Sequence, residues 1–152
     1  MNWPFIVAGA AGGAVAIGVM EWFSAFSQFP LASIPFATSI VLVLGSPDAA
    51  PAQPRALIGG HLLSALVGLL VLQVTGPSAF AAAMAVGLAI VAMHATRTFH
   101  PPAGINPLLI VTNAMPWTFL VVPVGAGVLL LAAFAWGWHK IGPDKNWPQR
   151  WW

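Results

Sequence analysis

Between Arg55 and Arg97, and again between Arg97 and Lys140, the chain carries no Asp, Glu, Lys or Arg; residues 22–47 are equally bare. A helix crossing a bilayer needs about 20 mostly apolar residues, and these runs supply several. Hydrophobic residues make up 59% of the chain and charged ones 5%, at a mean hydropathy of +0.88, which no soluble domain of this size shows. The reading is an all-α polytopic membrane protein with the lipid bilayer as its first partner. The few cations form no basic run, so nucleic acid is not an expected partner. Cysteine is absent, which excludes disulfides and thiolate metal sites.

Breakers divide the chain into six segments. Long runs cover residues 5–28, 56–75, 78–97 and 117–139; shorter ones cover 31–45 and 101–114. Gln28-Phe29-Pro30, Gly45-Ser46-Pro47, Thr75-Gly76-Pro77 and the Pro-rich stretch 46–55 separate them. The N-terminal run lacks a basic leader and exceeds a signal-peptide core in length, so it is expected to remain as the first spanning helix. One transmembrane domain over 1–140 and a short interfacial tail over 141–152 follow. Trp3, Trp22, Trp117, Trp136 and Trp138 sit near run ends, where interfacial aromatics collect; Trp147, Trp151 and Trp152 are expected to hold the tail to the headgroups, with His139 interfacial.

The two short segments follow similar breakers. Ser33-Ile34-Pro35-Phe36-Ala37-Thr38-Ser39 and His100-Pro101-Pro102-Ala103-Gly104-Ile105-Asn106 share a layout of polar residue, proline, small residue and polar residue at steps of two. The chain thus reads long–short–long twice, as repeats over 5–75 and 78–139. Short, Pro/Gly-interrupted segments at matching places in two halves point to a transporter's binding site. If both cross, Arg55, Arg97, Lys140, Lys145 and Arg150 share the side of the N-terminus, and that segregation favours six crossings. As helices, though, they reach only about 21–24 Å against a hydrocarbon core near 30 Å, so partly unwound crossings and re-entrant loops both fit.

Residues 98–107 put a histidine, three prolines, a glycine and an asparagine between apolar runs. Three prolines there cannot extend one straight helix. Irregular backbone at membrane depth persists only where protein buries it or it lines an aqueous cavity.

Pro51-Ala52-Gln53-Pro54-Arg55-Ala56-Leu57-Ile58-Gly59-Gly60-His61, followed by Thr98-Phe99-His100-Pro101-Pro102-Ala103-Gly104, resembles the HPP family of integral membrane proteins, named for its His-Pro-Pro motif. Pro35-Phe36-Ala37-Thr38-Ser39 is similar to the family's Ser-Phe-Gly-Ala-Ser segment, with Ala37-Thr38 where Gly-Ala is usual; Pro51 and Ala56 also depart from the common Leu and Asn. The resemblance covers about residues 30–135. It implies four spanning helices, which favours re-entrant short segments, and a link to nitrite transport, in which plastid and cyanobacterial members are implicated.

Several residues could carry that chemistry. An arginine at a helix centre costs about 2.5–3.5 kcal/mol on insertion scales, so Arg55 and Arg97 either snorkel to the interface or attract an anion. Helices starting after Pro35 and after His100-Pro101-Pro102 would aim free N–H groups into the interruptions, where Gly104, Thr38, Ser39 and Asn106 add small or polar groups. An ordinary histidine titrates near 6.5 and can pass a proton. His100 has the irregular context for this. His61, which opens the small-residue stripe Gly60-Ser64-Gly68, and His94 read first as packing or hydrogen-bonding groups. No His pair has the i, i+4 spacing of a metal helix, so no metal and no cofactor are expected. Glu21 lies on one face with Ser24 and Gln28, as a proton site or an interfacial acid. Gly9-Gly13, Gly60-Ser64-Gly68 and Ala81-Ala85-Ala89 are packing seams within or between protomers.

The expectation is a transporter or channel for a small monovalent anion, with nitrite indicated by the resemblance. It would be a homo-oligomer in a bacterial plasma membrane with cytoplasmic termini, and not an enzyme. The rivals are a non-transporting structural membrane subunit and a transporter of another small solute.

Overall fold

A computed structural model describes residues 2–27, 34–142 and 147–151. Gln28, Ser33, Lys145 and Trp152 lie outside the described residues. Six helices follow in order: α1 (Trp3–Ser27), α2 (Ile34–Gly45), α3 (Pro54–Thr75), α4 (Ala79–Ala95), α5 (Ile105–Thr112) and α6 (Ala126–Ile141). Pro54 suits the first turn of α3, and α3 ends at Gly76, whose φ of 72° favours glycine. The Ser78 hydroxyl caps α4 by accepting the Ala81 N–H at 3.1 Å.

Among the described residues three helical segments are long and apolar enough to cross a membrane: Trp3–Phe26, Pro54–Thr75 and Leu120–Ile141. Of the four long helices expected, three appear at that length among the described residues, and α4 has 17 residues, or about 25 Å. The last segment is also not continuous. Pro123 cannot donate to the ladder, and Val122 is extended at φ −133°, ψ 121°, so the wide turn Leu120–Gly125 kinks the chain before α6. The short run 101–114 divides into a 3₁₀ turn, Pro101–Gly104, and the eight-residue α5, which spans only about 12 Å.

Glycine contacts fix the chain direction. A Cβ on Gly9 would meet the Leu44 carbonyl oxygen at 2.8 Å, while Gly13 lies beside Ile40, so α2 runs antiparallel to α1. Gly60 abuts His100 and Gly68 abuts Pro107, so α5 runs parallel to α3. Gly127 packs under Phe36, and His139 bonds to the Val43 carbonyl oxygen, so α6 runs parallel to α2. Trp138 lies against Gly12 and donates to the Ala8 carbonyl at 3.2 Å, so α6 opposes α1. Direction alternates at each element, as six crossings require, although α5 reaches only part of the way. The start of α1, the start of α3 and the ends of α2, α4 and α6 share one end of the bundle. Arg55, Arg97, Lys140 and Arg150 all lie at that end.

In lipid, close packing rather than water exclusion holds helices together, and small residues permit it. Gly9, Gly60 and Gly68, with buried Ala81, Ala85 and Ala89, are used for contacts inside this chain. Phe36, Ile40, Leu57 and Leu131 form the main cluster; Phe119 packs with Ala65, Leu69 and Ile110 in a second. His139, near the end of α6, is buried within the protein beneath Trp147, whose indole donates to the Ala52 carbonyl at 3.0 Å.

Candidate functional site

One chain of hydrogen bonds runs through the core. Ser39 Oγ, on α2, lies 2.9 Å from His61 Nε2 on α3 and 2.9 Å from His100 Nε2. His100 Nδ1 donates to the Pro51 carbonyl at 2.7 Å. Asn106, on α5, reaches His61 Nδ1 at 3.1 Å, the His61 carbonyl at 3.2 Å and Ser64 Oγ at 2.9 Å through Nδ2. Ser39, His61, Ser64, His100 and Asn106 are each fully buried.

The ends of this chain fix its direction. A carbonyl only accepts, so His100 carries its proton on Nδ1 and offers a lone pair at Nε2. The Asn106 nitrogen only donates, so His61 Nδ1 is the lone pair and Nε2 bears hydrogen. Contact with the His61 carbonyl sets the amide that way round. Hence His61 Nε2–H donates to Ser39, and the Ser39 hydroxyl donates to His100 Nε2. With both imidazoles neutral, the Ser39 and His ring-nitrogen contacts all match. Asn106 Oδ1 alone, among the buried side-chain nitrogens and oxygens of the described residues, has no partner.

Local sequence places these groups. Gly59-Gly60 leaves room for the Thr98 side chain and the His100 Cβ against α3; a Cβ on Gly60 would sit 2.6 Å from that atom. The Pro101-Pro102 turn then redirects the chain so that α5 starts beside Ser64 and carries Asn106 inward. Ala103 N–H bonds to the His100 carbonyl at 3.0 Å, closing the turn.

A cavity of about 380 Å³ opens at the basic end, lined by Pro51, Gln53, Arg55, Arg97, Phe99 and Arg150 among others. Among the described residues no carboxylate lines it. Arg55 Nη2 donates to the Thr96 carbonyl at 2.9 Å, which ties the start of α3 to the end of α4. Arg97 has φ 58°. Its N–H bonds to the His94 carbonyl and that of Thr98 to the Met93 carbonyl, a helix end at which glycine is the usual residue. Pro51 lines the cavity and also accepts from His100, so the cavity and the buried chain share a wall.

The structure therefore brings Ser39, His61, His100 and Asn106 together, and gathers Arg55 and Arg97 at the neighbouring cavity. It leaves out others. Thr38 is exposed on the far side of α2; Pro101 is exposed and Pro102 half-buried; Gly104 has open space around it. His94 is exposed and stacked on Phe99 at 4.0 Å. The start of α5 follows directly on the Pro101–Gly104 turn. Sequence reasoning missed Arg150, which the tail returns to the cavity. Trp147 anchors that tail, and Gln149 bonds to both Gln53 and Asp48. It also missed the Pro51 carbonyl, and Ser64 as more than packing; neither a backbone oxygen nor a serine in a small-residue stripe carries a distinctive signal.

The family described as HPP, transmembrane region, matches residues 1–148. Two proteins of Dictyostelium discoideum, each described only as a transmembrane protein, are 37% and 34% identical over 125 residues. Each alignment takes in 77% of this chain but only 40% and 44% of those proteins, so the chain spans under half of their length. No solved structure matches.

Proposed function

The chain belongs to the HPP transmembrane family and is an integral membrane protein; from that premise we propose that it conducts or transports a small monovalent anion, nitrite first. The observation that carries this reading is the cavity in which Arg55, Arg97 and Arg150 meet with no carboxylate among the described residues, against the wall that holds His100. Uncompensated arginines at the mouth of a low-dielectric path concentrate anions there. Nitrite as the species rests on the family resemblance. We place the protein in a bacterial plasma membrane with the arginine end cytoplasmic, following the segregation of positive charge. Copies associate, in this reading, through the sparsely packed outer face of α1, where Trp3, Val7, Val15 and Trp22 are exposed.

Proteoliposomes holding this chain as their sole protein test the proposal. Nitrite should enter them faster than protein-free liposomes at alkaline pH, where passive leak of the neutral acid is small. Equal rates with folded protein would favour the structural-subunit reading, which the nearly self-satisfied buried chain also fits.

A further inference from the structure

We propose that Ser39, His61 and His100 form a binding site for one exchangeable proton, seated on His100 Nε2, with the Ser39 hydroxyl turning from that nitrogen to the Pro35 carbonyl as the proton arrives. The transport reading enters only in naming the anion that accompanies the proton.

Ser39 Oγ already lies 3.5 Å from the Pro35 carbonyl oxygen, one helical turn back. A hydroxyl has one hydrogen and two lone pairs. In the neutral chain it accepts from His61 Nε2–H and donates to His100 Nε2. When hydronium or a weak acid gives its proton to His100 Nε2, an N–H bond forms, the donor's bond to that proton breaks and its conjugate base remains. The Ser39 O–H···Nε2 hydrogen bond is replaced by one from Nε2–H to Ser39 Oγ. The serine oxygen then accepts from both imidazoles and its own hydrogen goes to Pro35. Each group in the Ser39–His100 contact stays bonded in both states.

His61 has no equivalent. Its free nitrogen faces the Asn106 amide hydrogens, so a proton there sets donor against donor. Turning the amide would put its oxygen against the His61 carbonyl, 3.2 Å from the present nitrogen. Nor can His100 release its Nδ1 hydrogen without leaving two lone pairs opposed across 2.7 Å at Pro51. The exchangeable position is therefore the nitrogen aimed at Ser39.

Among the described residues, the groups facing the cluster supply no countercharge. They are Pro35 and Phe36 from α2, His61 and Ser64 from α3, Asn106 from α5 and Pro51 from the connecting turn. His139 on α6 is engaged with Val43 and Trp147. Among the described residues Glu21 is exposed on α1 and Asp48 bonds to Gln149. A buried imidazolium without a carboxylate needs an anion, and the arginine cavity lies across the Pro51 wall. Proton and anion thus enter together as a neutral pair.

Nitrogen NMR of ¹⁵N-histidine protein in lipid bilayers reads this directly. At neutral pH His100 should be the Nδ1–H tautomer and His61 the Nε2–H tautomer. On acidification in the presence of nitrite, His100 should become imidazolium first. Ser39→Ala should weaken proton binding at His100 about ten- to hundred-fold, the range for one hydrogen bond to a charged group. Ser39→Thr, which keeps the hydroxyl, should retain it. Identical tautomers at the two histidines, His61 titrating first, or an unchanged titration in folded Ser39→Ala protein would each overturn the proposal. Nitrite flux without this titration also overturns it, whereas the titration without flux overturns the transport reading and leaves the proton site standing.

Discussion

Ser39 and Asn106 hold opposite nitrogens of one imidazole: Ser39 Oγ is 2.9 Å from His61 Nε2, and Asn106 Nδ2 is 3.1 Å from His61 Nδ1. They occupy the same place in the two short motifs, on helices that run in opposite directions. His61 is thus fixed in one tautomer and one orientation by the two interrupted segments acting together.

Asn106 faces the free nitrogen of that tautomer. Asn106→Leu removes the donor to His61 Nδ1 and to Ser64, and should destabilise the fold by about 1–3 kcal/mol, the cost of stranding buried polar groups. Asn106→Asp substitutes a carboxylate and should put a hydrogen on His61 Nδ1 as well as on Nε2, since the one Ser39 hydroxyl hydrogen is already directed at His100. Unfolding in mild detergent measures the first effect and histidine NMR the second; a neutral Asn106→Leu would show that the amide is dispensable.

Gly60 sets the approach of His100 to α3. In Gly60→Ala the new methyl would lie 2.6 Å from the His100 Cβ and 2.8 Å from the Thr98 carbonyl oxygen, and backbone cannot yield cheaply. Overpacking of this kind costs about 1–3 kcal/mol. Gly87 on α4 meets nothing within 4 Å, so Gly87→Ala should be neutral or stabilising by about 0.5–1 kcal/mol. Comparing melting temperatures of the two variants separates close packing from loss of glycine itself.

Arg97 holds a left-handed conformation that costs a non-glycine residue about 1–2 kcal/mol. Arg97→Gly should therefore raise stability by about that amount. It should also weaken the apparent affinity for the anion by up to about fivefold, the scale of one exposed ion pair. Gain in stability with loss of affinity is the expected pair of results; loss of stability would mean that the arginine side chain holds the α4 end.

Much of this architecture was legible in the sequence because charge and breakers act locally. The absence of charge named the membrane, and prolines marked the ends of α2 and of the 101–104 turn. The matching motifs singled out Ser39, His100 and Asn106 before any contact was known. Length misled at α4 and near Pro123, where an apolar run does not reveal where a helix stops or kinks. Thr38 and Ser39 are equally polar in the sequence, and only the packing of α2 decides that Ser39 faces inward. Arg150 depended on a tail folding back through Trp147 and Gln149, contacts that link residues about a hundred positions apart and leave no periodic trace.

That the arginine cavity draws in the anion is tested by the concentration dependence of nitrite influx into proteoliposomes. Replacing Arg55, Arg97 and Arg150 together by glutamine should keep the fold and raise the half-saturating concentration about ten- to hundred-fold, if their modest individual effects add. The same half-saturating concentration in the folded triple variant as in the wild type would contradict the claim.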